Sequence, residues 1–191
     1  MTRTVLEKAD VIPRVAEVFR ELGYEGASMT KITSRTGISK GSLYYFFPGG
    51  KDEMAAEILS HIDTWFVEHI FKPLERDEPQ AAIQRMWREV DVYFHSGQRI
   101  CLVGAFALDE TRDRFAVTIH HYFNRWIDAL QAALVRAGAS ADTAASLAEE
   151  VIGGIQGGLI LARALNDERL FKRTLSRLTD QISAVMEFEP D

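Results

Sequence analysis

The stretch from Ser28 to Lys51, SMTKITSRTGISKGSLYYFFPGGK, constrains this chain more than any other. It contains two short helical segments separated by a glycine, and a serine stands at the start of each. Ser28 is placed to cap the first, because a side-chain oxygen there accepts from an amide that the helix leaves unpaired. Ile32 gives that helix its inward position, Gly37 supplies the turn, and Ser39 caps a second helix from Lys40 to about Phe47. In the second helix Leu43 and one of two phenylalanines face inward, which leaves Lys40, Ser42, Tyr44 and Tyr45 outside. Pro48-Gly49-Gly50 breaks it. Lys51 opens the next helix, an unfavourable end of the macrodipole for a cation unless something negative faces it, and a DNA phosphate would serve. Two helices about a sharp turn, the second with a polar and aromatic outer face, are the layout of a helix-turn-helix DNA reader.

Val18-Phe19, Gly23-Tyr24, Ser28, Ile32, the run Gly37-Ile38-Ser39-Lys40-Gly41-Ser42-Leu43-Tyr44-Tyr45-Phe46-Phe47 and Lys51 together form a pattern. Over residues 11 to 55 that pattern resembles the TetR family of transcriptional regulators. Thr33 and Thr36 stand where the family usually has alanines, and Phe46 where histidine is more usual. The resemblance implies an all-α chain of about nine helices. Residues 1–50 would be a three-helix, helix-turn-helix DNA-binding domain, and residues 51–191 a helical ligand-binding and dimerisation domain. It also implies a homodimer that binds a palindromic operator in double-stranded DNA, acts as a repressor, and lets go when a small effector shifts the helix from Asp52 to Lys72. Base readout is expected from Lys40, Gly41 and Ser42, and phosphate contact from Ser28, Thr30, Ser39, Tyr44, Tyr45 and Lys51. Core packing is the alternative for the two tyrosines, with Tyr45 the one expected to be partly buried.

The net charge of −6 argues against nucleic acid until its distribution is read. Residues 1–51 carry eight Lys and Arg against five Asp and Glu, and the rest carries 14 against 23. A mildly basic head on an acidic body suits a protein in which only the head approaches phosphate. With 47% hydrophobic residues the chain can bury a real core. It has no run of 18 apolar residues and no signal-peptide pattern, so a cytoplasmic protein with no membrane partner is expected. The single cysteine, Cys101, rules out an internal disulfide.

Periodicity supplies the remaining helices. Val11, Val15, Val18, Phe19 and Leu22 mark the first, with Asp10 read as its cap, Pro13 in its first turn and Gly23 at its close. Arg3 precedes it, placed to reach a phosphate or to lie in a frayed end. A helix from Lys51 to about Lys72 is expected to stop at Pro73, and another carries Ile83, Trp87, Val90 and Phe94 inward. Cys101 to Leu108 reads as a short buried helix followed by the charged cluster Asp109 to Arg114. Three long helices follow, the second of them capped by Ser140. No alternating strand pattern appears. The last two helices are the expected dimer interface, through Ile152, Ile155, Leu159, Ala162, Leu175, Leu178 and Ile182. Gly153, Gly154, Gly157 and Gly158 face either a partner or a cavity, since each interior glycine costs about 1 kcal/mol relative to alanine.

For an effector, Trp65, Phe66, His69, Trp87, Phe94, Cys101, Phe106, Tyr122 and Trp126 are the candidate pocket, suited to an apolar or aromatic molecule. Each is weighed against a plain core role. Cys101 has a second reading as a redox or electrophile sensor, which needs cations such as Arg99 or Arg112 nearby to lower its thiol pKa. No cofactor is called for. The adjacent His120 and His121 point to different helix faces with no carboxylate at i+4, Glu57 and His61 have that spacing but are read as facing solvent, and Gly49-Gly50-Lys51 is no phosphate loop, because Tyr45 and Asp52 stand where Gly and Ser or Thr are needed. An all-helical enzyme or an interaction scaffold is the reading from a different class.

Overall fold

The computed structural model describes residues 6–108 and 110–187, so Arg3 and Asp109 lie outside the described residues. Ten α-helical stretches follow one another. They are α1 (Lys8–Gly26), α2 (Met29–Thr36), α3 (Lys40–Phe46), α4 (Lys51–Phe66), α5 (Lys72–Arg76), α6 (Pro79–Tyr93), α7 (Leu102–Ala107), α8 (Ala116–Arg136), α9 (Ala141–Leu165) and α10 (Glu168–Glu187). A wider π turn, Val67–Phe71, carries α4 into α5 without a break. The described residues therefore form nine helices and no strand, the all-α architecture that the sequence predicts.

Three helix boundaries differ from expectation, one of them the end of α1, which runs past a kink at Gly23 (φ 68°) to Gly26. α1 starts at Lys8 because Glu7 is its cap, with Asp10 at the third helical position and its carboxylate accepting from the Glu7 amide at 3.2 Å. A capping box satisfies one more orphan donor than Asp10 does alone, so the helix begins earlier and Pro13 falls inside it, beyond the first turn. Pro73 does not end the helix from Lys51 either. At the π turn the amide of Lys72 bonds to the Val67 carbonyl five residues back. Pro73 then occupies the first turn of the stretch that follows, directly after the wider π turn.

The helices pack as two compact units. The first comprises residues up to Thr64 together with Leu102–Ile119, and the second Trp65–Cys101 together with His120 onward. In the first unit Val11, Val15, Phe19, Ile32, Leu43, Phe47, Met54 and Ile58 are buried and tie α1 to α4 together. α7 packs on α1 and sets Phe106 against Phe19 at 6.1 Å and Tyr24 at 5.9 Å between ring centroids, while Phe115 reaches Tyr24 at 6.1 Å. The short apolar helix is buried as expected, but Leu108 behind it is 81% exposed.

In the second unit α10 runs along α9. Ser140 caps α9, accepting from the Thr143 amide at 3.2 Å, and Asn166 closes it in the left-handed conformation. Glu78 caps α6, and the amides of Ala81 and Gln80 hold its carboxyl below the usual range. Between α6 and α7 the turn His95-Ser96-Gly97 has positive φ at three successive residues. Gly97 is required there. A Cβ on it would lie 2.6 Å from Cβ of Phe171 on α10.

Candidate nucleic-acid interface

Local chemistry sets the two helices of the expected DNA reader. The amide of Lys31 donates to Ser28 Oγ at 3.3 Å and that of Ser42 to Ser39 Oγ at 3.0 Å, so both serines cap as their positions predict. Gly37 has φ 70°, the left-handed conformation that ends α2, and its amide reaches the Thr33 carbonyl at 3.0 Å. Thr36, one of the departures from the resembled pattern, has a role of its own. Its hydroxyl donates to the Ile32 carbonyl at 2.7 Å and accepts from the Ile38 amide at 3.2 Å, which fastens the turn. Thr33, the other departure, buries a hydroxyl with no hydrogen-bond partner among the described residues.

This frame leaves a compact outer surface on α3. Leu43 and Phe47 are fully buried, whereas Lys40, Gly41, Tyr44 and Tyr45 are exposed. Lys40 Nζ lies 5.9 Å from the centre of the Tyr44 ring. Tyr45, the tyrosine expected to be partly buried, is the more open of the two at 79%, against 43% for Tyr44. The helical period explains this, since Tyr45 lies two residues after the inward Leu43, on the opposite side of α3. Gly41 leaves the start of the helix open, because a Cβ there would meet only Ser39 Oγ at 3.9 Å. Ser42 is less available than its position predicts, its hydroxyl being paired with that of Ser39 at 2.8 Å. Ser28 and Thr30 are exposed on α2 and just before it.

Lys51, expected to meet a phosphate, also has partners of its own. Its ammonium finds its negative partners within the chain, on the Tyr24 carbonyl at 3.1 Å and near Glu25 at 3.8 Å, and lies 4.0 Å from the centre of the Tyr24 ring. The neighbouring Asp52 and Tyr24 are held in turn by Arg114, which donates from Nη1 to Asp52 Oδ1 and to the Tyr24 hydroxyl oxygen, both at 2.6 Å. Sequence reasoning passed over Asp52 and Arg114, for they are 62 residues apart and neither belongs to a motif.

In the second unit Trp65, Phe66, His69, Phe94, Tyr122 and Trp126 come together with Phe71 and Tyr93. Phe66 lies 5.0 Å from Tyr122 and 5.1 Å from Trp126, and Trp65 stacks on His69 at 4.5 Å. Trp126 is fully buried and its indole N–H has no hydrogen-bond partner among the described residues. Three of the expected pocket residues stand outside that ring cluster. Phe106 belongs to the first unit, because α7 packs on α1. Trp87 makes no ring contact among the described residues and lines a groove of about 220 Å³ between α6 and α10 with Ile83, Ile182 and Met186. Cys101 is buried; of the two cations named for it, Arg99 lies over the Tyr93 ring at 4.7 Å and Arg112 beside Asp113 at 3.6 Å. Among the described residues no group of three or more His, Cys, Asp or Glu side chains converges.

The seven residues expected at a dimer interface are all buried within a single chain. Ile152, Ile155, Leu159 and Ala162 on α9, and Leu175, Leu178 and Ile182 on α10, are at most 8% exposed. A stripe at three-to-four spacing marks a face that is covered without saying by what, and here the cover is the chain's own. The glycines divide the same way. A Cβ on Gly154 would meet Leu178 at 3.0 Å and one on Gly158 would meet Thr174 at 3.1 Å, whereas Gly153 and Gly157 have nothing within 4 Å. The outer face of α9 therefore presents Gly153, Gly157, Ile160, Leu161 and Leu165, and those last three are at least half exposed.

Comparison with known proteins agrees with this geometry. Residues 15–58 match the model of bacterial regulatory proteins of the tetR family, and residues 79–176, just over half of the chain, match the C-terminal domain of LmrA/YxaF-like transcriptional regulators. The HTH-type transcriptional regulator LmrA of Bacillus subtilis is 26% identical over 157 residues, 80% of this chain and 84% of its own. The uncharacterized HTH-type transcriptional regulator YxaF of the same organism is 25% identical over 97% of this chain and 98% of its own. Among solved structures, a TetR transcriptional regulator from Legionella pneumophila superposes with a TM-score of 0.77 at 21% identity, covering 94% of this chain and 99% of that one. With two capped helices about a left-handed glycine at the head and a matching C-terminal half, this chain belongs to the TetR family of helix-turn-helix, DNA-binding transcriptional regulators.

Proposed function

We propose that the protein is a homodimeric repressor that binds a palindromic operator through α3 and is released by a small apolar or aromatic effector. The observation that carries the DNA side is the outer face of α3, where Lys40, Gly41, Tyr44 and Tyr45 stand open on a helix whose other side is locked by Leu43 and Phe47. Lys40 and Gly41 are the base-reading positions in this reading. Tyr44, Tyr45, Ser28 and Thr30 set the register on phosphate. The outer face of α9 is the dimer surface, because three large apolar side chains beside two glycines match the close approach of a second helix. The aromatic cluster about Phe66 and Trp126 is the effector's site, and the unpaired indole N–H favours a molecule with a hydrogen-bond acceptor. Release requires the effector to favour the DNA-incompetent state, and a preference of about 100-fold corresponds to roughly 2.7 kcal/mol.

Selection of random duplex DNA by the purified protein tests the reading, with Lys40→Ala as control. A palindromic site that the variant fails to enrich is the expected result, and no enrichment by either protein contradicts it. Sedimentation of Leu161→Asp tests the dimer surface: a folded monomer is expected where the parent chain is a dimer, and an unchanged mass contradicts that surface.

A further inference from the structure

We infer that Arg114 is a positioning residue for DNA binding, acting on Lys51 through Tyr24 and Asp52; this rests on the reading of the head as the DNA-contacting part. Lys51 stands at the first position of α4, directly after the turn that follows α3. A lysine at the rim of a phosphate-binding surface is effective when its ammonium is already placed, since a free lysine loses rotamer freedom on binding. Here the placement comes from Tyr24. The ammonium donates to its backbone carbonyl at 3.1 Å and rests on its ring face at 4.0 Å from the centre.

Tyr24 is itself held from two sides. Phe19, Phe106 and Phe115 surround its ring, and it is 1% exposed. Its hydroxyl donates to Asp52 and accepts from Arg114 Nη1 at 2.6 Å. The same Nη1 reaches Asp52 Oδ1 at 2.6 Å, and the guanidinium carbon is 5.3 Å from the centre of the Tyr24 ring. Arg114 thus acts in two ways. It fixes the hydroxyl end of the ring that carries Lys51, and it offsets the Asp52 carboxylate, which would otherwise repel a phosphate approaching the adjacent Lys51. Neither effect belongs to the helix-turn-helix itself. The residue comes from a segment that follows α7, more than 60 positions further along the chain, and packs in the same unit.

The test is a double-mutant cycle on binding to a fluorescein-labelled DNA duplex of mixed sequence, measured by anisotropy over a salt series, with a thermal melt of each variant. Lys51→Ala is expected to weaken binding and to reduce the salt slope by about one. Arg114→Ala is expected to weaken binding about fivefold, the upper range for an exposed ion pair, and to cost less than about twofold once Lys51 is alanine. If Arg114→Ala does not fold, Arg114→Gln takes its place in the cycle. An equal loss in both backgrounds, or Lys51→Ala without effect, overturns the proposal while leaving DNA binding intact. A parent chain that fails to bind the duplex at low salt removes the underlying reading instead.

Discussion

The α2–α3 pair and the α9–α10 pair each consist of two consecutive helices, and they are held together by different physics. In α2–α3 the helices have eight and seven residues, too short to be stable alone, so their geometry is set at the ends by the serine caps and Gly37. In α9–α10 the helices have 25 and 20 residues, and their geometry is set along their length by Leu178 and Thr174 closing on Gly154 and Gly158. The short pair keeps one whole face free for something else. The long pair consumes its most obvious apolar stripe internally and leaves a second, less obvious one outside.

Substitutions can break this contrast. The largest effect is expected at Gly97, which α10 covers: Gly97→Ala forces a side chain into a positive-φ position 2.6 Å from Phe171 and should cost about 4 kcal/mol in denaturant unfolding. Next, Leu159→Ala on the inner face of α9 should cost about 3 kcal/mol, while Leu161→Ala on the outer face should change single-chain stability by less than about 0.5 kcal/mol. Comparable losses at the two positions would mean that inner and outer faces have been misassigned. In the short pair Ser39→Ala and Thr36→Ala should each cost about 1 kcal/mol, because each hydroxyl pairs a backbone amide.

Thr33→Ala should go the other way and stabilise by about 0.5 to 1 kcal/mol, since it removes a buried hydroxyl that has no partner. The smallest effect concerns Glu78. Its folded pKa is lowered, so the stability it contributes is present above its unfolded value and is lost as the pH falls through the lowered one. A carbon-13 titration of Glu78 should show that midpoint below the usual carboxylate range, and an ordinary value would remove the cap's electrostatic contribution.

The same contrast explains what the sequence makes legible. Ser28, Ser39, Ser140 and Gly37 act within four residues of their own position, so local rules place them correctly. The start of α1 depends on whether Glu7 or Asp10 wins the cap, two local options with similar signatures. Pro73 signals a break, and only the π turn before it shows how the helix continues. Nothing local says that Phe106 packs with Tyr24 while Phe66 packs with Trp126, or that Ile152 and Leu178 face their own chain, because periodicity identifies a buried face but not the surface that buries it. The Arg114–Asp52–Tyr24 contact is invisible for the same reason, being made across 62 and 90 positions.

Amide hydrogen exchange with and without a selected duplex tests the central claim most directly, because it asks which helix pair meets DNA. Protection that appears over Ser39 to Tyr45 and the first turn of α4, with α9 and α10 unchanged by the duplex, is the predicted result. Protection confined to α9 or α10, with α3 exchanging as it does without DNA, would contradict the assignment of the short pair as the reader.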